Sequence, residues 1–232
     1  MTHYDRSARL LAIALATQAG FVDALGFLEL GGYFVSFMSG NSTRIAVDAA
    51  GHGDAVARVG AIVAWFFAGV VFGSCVRRAF AVTPMTAVLI FVLASLVLAA
   101  AVQADASMVA IFAMTMAMGA VNATFERQGS AGLGVTYVTG AMVKSGQLLV
   151  GALCGGDRTA WLWQVLLWMG LVLGALLGGL AYTRWQLGSL WIACSACLIL
   201  VLCTRVFEKR MPARAWPAAV DGGSVDARRR PD

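Results

Sequence analysis

The sequence predicts an all-α membrane protein: six transmembrane helices in two repeats of three, each repeat carrying a glycine-broken or re-entrant segment, with the repeats in inverted topology. Three observations carry that expectation. The chain is 60% hydrophobic and 12% charged, with a mean hydropathy of +0.79, which is far from the composition of soluble domains. Its apolar runs fall at residues 9–29, 57–76, 83–103, 106–125, 160–183 and 187–206, each close to the ~20 helical residues that cross a hydrocarbon core. Polar, glycine-containing segments interrupt the pattern at matching places in the two halves.

Taken in order, residues 1–8 read as a cytoplasmic N-terminus, 9–103 as the first repeat and 106–206 as the second. Arg6 and Arg9 precede the first run, but that run is longer than the ~7–15 apolar residues of a cleavable signal, so it reads as an uncleaved span. The second, third, fifth and sixth runs hold no charge in their central turns. Residues 207–232 form a basic tail, compositionally disordered at its end, and its "RVFEKRMPARAW" and "ARRR" carry the excess behind the net charge of +5. Cations placed there report topology or attraction to anionic lipid headgroups, not nucleic acid.

The halves resemble one another. "GFVDA" (20–24) matches "GAVNA" (119–123) at an offset of 99. "YFVSFMSGNSTRI" (33–45) matches "GVTYVTGAMVKSG" loosely, with Gly40 opposite Gly140 and Arg44 opposite Lys144 at an offset of 100. "WFFAGVVFG" (65–73) then matches "LWMGLVLG" (167–174), with Gly69 and Gly73 opposite Gly170 and Gly174 at an offset of 101. Each half therefore reads as span, polar broken segment, span, span. If both broken segments are re-entrant, Arg6, Arg9, Arg77, Arg78, Arg127, Arg158 and the tail share one side, and Arg58 and Arg184 face the other. The positive-inside rule then puts both termini in the cytoplasm. Three spans per half is an odd number, which inverts the second half. The alternative is an ordinary helix kink at each segment, with Ser and Thr bonded back to their own backbone.

These paired signatures, "GFVDALGFLELGGYFVSFMSGNSTRIAV" and "GAVNAT" with "GVTYVTGAMVKSGQ", resemble those of the YoaK-like bacterial inner-membrane family. The resemblance runs from about residue 8 to 206 and implies a multi-pass inner-membrane protein without implying a substrate. The family often has Gln before the second-half Asn. Val121 stands there in this chain.

Asp23 lies near the middle of the first span, flanked one turn away by Gly20 and Gly26, with Asn122 at the equivalent place in the second half. A lone carboxylate at that depth costs a few kcal/mol. It reads either as a proton or cation coupling site or as a structural counter-ion to Arg44 or Lys144. If helices restart at Ser42 and near Ala141, their first-turn N–H groups face inward and favour an anion. Ser39, Gly40, Asn41, Thr43 and Arg44, with Thr139, Gly140 and Lys144, would then bind a small carboxylate or phosphate-bearing solute. The competing reading lets each cation snorkel to a headgroup region.

Glu29 and Glu126 close their spans at the interface, and the Gly69-x-x-x-Gly73 and Gly170-x-x-x-Gly174-x-x-x-Gly178 ladders serve close helix packing. Cys194 and Cys197 form a C-x-x-C mid-span, read as small packing residues. The sequence has no H-E-x-x-H, P-loop or G-x-S-x-G, and its two histidines, His3 and His52, lie outside the apolar runs, so no enzyme, cofactor or metal is expected. The expected partners are membrane lipid and a small solute of unknown identity, with no nucleic acid, and a homo-oligomer is left open. The leading functional expectation is a small-solute transporter or channel-like permease of the bacterial inner membrane, proton-coupled through Asp23. Its competitors are a non-transporting scaffold or accessory subunit with a buried ion pair, and a lipid-handling protein.

Overall fold

The structure, a computed structural model, describes residues 6–51, 55–126, 136 and 138–210. Among them every regular element is helical: α1 (Arg6–Glu29), α2 (Met38–Ala50), α3 (Val56–Ala79), α4 (Pro84–Val102), α5 (Ser107–Ala120), α6 (Val138–Leu153), α7 (Ala160–Trp185) and α8 (Leu190–Arg210). A 3-10 turn over Val121–Phe125 extends α5, and another over Gln186–Ser189 joins α7 to α8. α1, α3, α4 and α5 with its extension are each long and apolar enough to cross a membrane, as is the 50-residue stretch Ala160–Lys209. Gln186, the non-glycine residue with φ of 49°, begins the turn that divides that stretch in two. The six runs expected from the sequence thus correspond to α1, α3, α4, extended α5, α7 and α8. The last extends to Arg210, four residues into the segment assigned to the tail, because "VFEKR" continues the helical pattern. The remainder of the tail lies outside the described residues.

Glycine sets the tightest packing. A Cβ on Gly174 would collide with the Thr17 carbonyl, and one on Gly178 with that of Phe21. Gly170 faces Ile13 and Thr17. Contacts 13–170, 17–174 and 21–178 rise together, so α1 and α7 run in the same direction. The Glu29 carboxylate, accepting the Tyr182 hydroxyl at 2.8 Å, continues that register. On the other side a Cβ on Gly69 would meet the Met116 carbonyl, and one on Gly73 the Ala120 backbone, so α3 and α5 are also parallel. Small residues let backbones approach where lipid supplies no hydrophobic drive between helices.

α4 and α8 complete the bundle. Gln18 of α1 reaches Ala193 of α8, although Ala193 lies 8 residues beyond the end of α7 at Trp185, so the chain has folded back at the 3-10 turn. Leu89 of α4 faces Cys197 of α8 while Met85 and Thr86 face Glu208, which makes α4 antiparallel to α8. α1, α4 and α7 therefore share one sense, and α3, α5 and α8 the other. The core is built from small and aliphatic groups, among them Leu15, Val22, Leu89, Leu96, Met114 and Leu190. Leucines such as Leu173, Leu176 and Leu180 on α7 are exposed, as suits helices whose outer faces meet lipid.

Candidate functional site

The interruption after α1 begins at Gly31 and Gly32, whose φ values of 65° and 108° take the left-handed backbone that reverses the chain. Residues 33–37 then run back along α1, with Val35 against Gly26. At the level of Asp23 the descent stops. Asp23 Oδ1 accepts the N–H of Val35 at 2.9 Å and of Ser36 at 2.7 Å. From there α2 turns around. Asn41 is fully buried; its Oδ1 accepts the Phe34 N–H at 2.9 Å and its Nδ2 donates to the Phe34 carbonyl at 2.6 Å. Further up, the Arg44 guanidinium lies 5.1 Å over the Tyr33 ring, and the Tyr33 hydroxyl donates to Asp48 at 2.8 Å. The segment is a hairpin: an extended limb entering beside α1 and a helix leaving beside that limb.

The second half repeats the key contact. Asn122 Oδ1 accepts the Thr136 hydroxyl at 3.0 Å and the Thr136 N–H at 3.4 Å, while its Nδ2 donates to the Met118 carbonyl at 3.0 Å. α6 follows at once. Its pattern of exposure over residues 141–150 is the same, position by position, as that of α2 over 41–50. Asn41 and Ala141 are the buried residues of the two helices. Most of the second connection (127–135 and 137) lies outside the described residues.

Several expectations need correction. The helices do not restart at Ser42 and Ala141 after breaks at Gly40 and Gly140. α2 begins at Met38 and α6 at Val138, so both glycines sit inside the first turn. A Cβ on Gly40 would require the exposed Phe37 ring to move aside and would press on that of Phe34, whereas Gly140 has open space beside it. Asp23 is no counter-ion to Arg44 or Lys144 either. Its partners are two backbone amides, and among the described residues it makes no ion pair. The N–H groups of Val35 and Ser36 are in a buried stretch and need an acceptor, which Asp23 supplies, and two charge-assisted bonds in turn stabilise the carboxylate without a cation.

The ten candidate residues do not gather in one place. Asp23 stands ~8 Å beyond the midpoint of α1 and Asn122 ~9 Å beyond the midpoint of extended α5, at a rise of 1.5 Å per residue. Since α1 and α5 run in opposite senses, the two lie toward opposite ends of the bundle. Ser39, Thr43 and Arg44 on α2 and Thr139, Gly140 and Lys144 on α6 are exposed or partly exposed on the outer faces of their helices. The Thr43 hydroxyl donates to the Ser39 carbonyl at 3.1 Å. Asn41, expected as a solute ligand, is spent on Phe34. We expect Asn41→Ala to lower stability by about 2–4 kcal/mol, from two lost bonds and two stranded backbone groups, measurable as the thermal midpoint in detergent.

Other polar groups went unread in the sequence. Glu208 accepts the N–H groups of Met85 and Thr86, and Arg77 donates to the Thr124 carbonyl at 2.8 Å. The signal for Glu208 was a lone carboxylate within a basic segment. A cavity of about 610 Å³ opens between α1, α7 and α8, apolar apart from Thr17 and Gln18. The Gln18 Oε1 there is buried without a partner.

Comparison with known proteins gives a family and a transmembrane relative. A transmembrane protein of Rhizobium meliloti (strain 1021), described as UPF0700, is 34% identical over 204 residues, 88% of this chain and 89% of the relative. No solved structure matches the chain. A model of the DUF1275 family, described as proteins of unknown function, matches residues 11–203. With nearly every helix inside that match, and with a transmembrane relative over most of both lengths, the chain is a multi-pass membrane protein and belongs to the DUF1275 family, the one its paired signatures resemble.

Proposed function

We propose that the chain is a small-solute transporter or channel-like permease of the bacterial inner membrane, built from two inverted halves with both termini in the cytoplasm. The observation that carries the reading is the hairpin of residues 33–50, latched by Asp23 and echoed by Asn122 and Thr136. Backbone that leaves helix at membrane depth persists only where protein or water satisfies its amides. Inverted halves with interrupted helices are the plan of many solute carriers, whose interruptions meet near the midplane. Here the two latches lie toward opposite ends, so the support comes from the paired interruptions and not from a shared site. The alternating helix senses support it, since α1 and α3 run oppositely and α2 between them adds no crossing. So does charge. Arg6, Arg9, Arg77, Arg78, Arg158, Arg205 and Lys209 fall at one end of the bundle, and Arg58 and Arg184 at the other, as the positive-inside rule requires of a cytoplasmic N-terminus.

Proton coupling through Asp23 is separable from its latch. Asp23→Asn keeps an oxygen for Val35 and Ser36, as Asn122 does for Thr136, but removes the ionisable group. In proteoliposomes we expect the variant to stay folded and to lose pH-dependent uptake of candidate solutes. An unchanged pH profile takes Asp23 out of the coupling step. No uptake of any tested solute by the parent protein speaks against transport itself. A second reading, a scaffold or accessory subunit, draws support from the apolar character of the α1–α7–α8 cavity and from the two backbone donors held by Asp23 Oδ1.

A further inference from the structure

Polar contacts between the two halves crowd one end of the bundle. There Arg9 of α1 lies 4.9 Å over the Trp163 ring of α7. Arg77 of α3 donates to Thr124, and Arg78 pairs with Glu126 at 3.4 Å. At the same end Glu208 of α8 accepts the Met85 N–H at 2.8 Å, the Thr86 N–H at 3.1 Å and the Thr86 hydroxyl.

Glu208 differs from the others in what it satisfies. The first turn of any helix leaves N–H groups unpaired, and α4, which opens on Pro84, has no side-chain bond from its own cap position, Thr83. The missing acceptor comes instead from the other half. A carboxylate at a helix N-terminus meets the positive end of the helix dipole, and its bonds are charge-assisted. Thr86 is buried, so water is a poor substitute. The stripe of α8 leading from Glu208 into the bundle is Thr204, Val201, Cys197 and Cys194, all buried. Cys197 Sγ comes to 3.8 Å from the Leu89 carbonyl on α4. The α4–α8 seam is thus closed by small and mostly apolar groups, with the Thr204 hydroxyl buried among them without a partner, and is tied at its end by the Glu208 side chain.

We propose that Glu208 is a clasp between the halves, holding that end of the α4–α8 seam shut, and that its release opens the seam toward the two buried thiols. The inference rests on the two-half reading of the chain, but its test does not require transport. Cys75, Cys154 and Cys203 are exposed and Cys194 and Cys197 are buried. Replacing the exposed three by Ser leaves the seam thiols as the only reporters in the full-length protein. With the uncharged reagent N-ethylmaleimide in detergent micelles, we expect slow labelling of this parent. Glu208→Ala should accelerate it by about tenfold or more, as loss of a charge-assisted, multiply bonded group implies. Glu208→Gln keeps an acceptor and should fall between. Arg78→Ala removes a pair whose arginine side chain is 72% exposed and should leave the rate unchanged. A rate in Glu208→Ala equal to the parent's, with the same monodisperse elution profile, overturns the proposal. So does equal acceleration by Arg78→Ala. If Glu208→Ala does not fold, Glu208→Gln decides by the same comparison. Absence of solute uptake by the parent would count against the permease and leave the clasp standing.

Discussion

Asp23→Ala will release the first hairpin. Two charge-assisted bonds vanish and the N–H groups of Val35 and Ser36 remain with no acceptor, at residues that are 0% and 6% exposed. Each stranded amide costs about 1–3 kcal/mol, so a total loss of about 3–5 kcal/mol is expected, a large share of a typical ~5–15 kcal/mol stability. Asp23→Asn should lose far less, since its oxygen can take the same donors. The measurement is the thermal midpoint of each variant in one detergent, paired with protease sensitivity across residues 30–40. Equal stability of Asp23→Ala and the parent would mean that the hairpin is held by its packing alone. The expected order, parent, then Asn, then Ala well below, would identify the carboxylate as a backbone acceptor first and an ionisable group second.

Gly174→Val should be equally severe for a different reason. Its Cβ would overlap the Thr17 carbonyl, and the obstacle is backbone, which no rotamer change can move aside. Overpacking of a well-filled interior costs about 1–3 kcal/mol, and here α1 and α7 must also separate, undoing the close approach that Gly170, Gly174 and Gly178 allow. We expect little folded protein to be recovered. Gly179, one position along the same helix from Gly178, has nothing within 4 Å of an added Cβ. Gly179→Val therefore serves as the control and should be recovered at near the parent level. Similar yields for the two variants would show that α1 and α7 do not pack through this face.

These two predictions show unequal legibility in the sequence. The Gly170, Gly174 and Gly178 ladder announced a helix contact by spacing alone, because only glycine at a four-residue interval clears a continuous groove. Its partner was not readable. The Gly69–Gly73 and Gly170–Gly174 pairs match each other in sequence, yet each packs on the opening helix of the opposite half, α5 and α1 respectively. Asp23 stood out because a carboxylate in an apolar run is expensive, but the cheapest way to satisfy it was sought among cations. The structure gave the answer in backbone amides 12 and 13 residues along the chain. Gly40 and Gly140 drew attention as breaks, whereas Gly31 and Gly32, in "LELGGYF", take the φ values that turn the chain. A glycine inside a first helical turn and a glycine at a reversal look alike in one dimension.

What the sequence determined by itself was the solvent and the lengths. Sixty per cent apolar residues gathered in runs of about twenty match a hydrocarbon core and are far from the composition of soluble domains. It also marked where polar residues interrupt the apolar runs, although not which glycines turn the chain. Only the tertiary structure decided who satisfies whom: Asp23 with Val35 and Ser36, Asn41 with Phe34, Glu208 with α4. Hydrophobicity is a property of each residue and can be read one position at a time. A hydrogen bond needs a donor and an acceptor to meet, and where they meet depends on how every helix between them is packed.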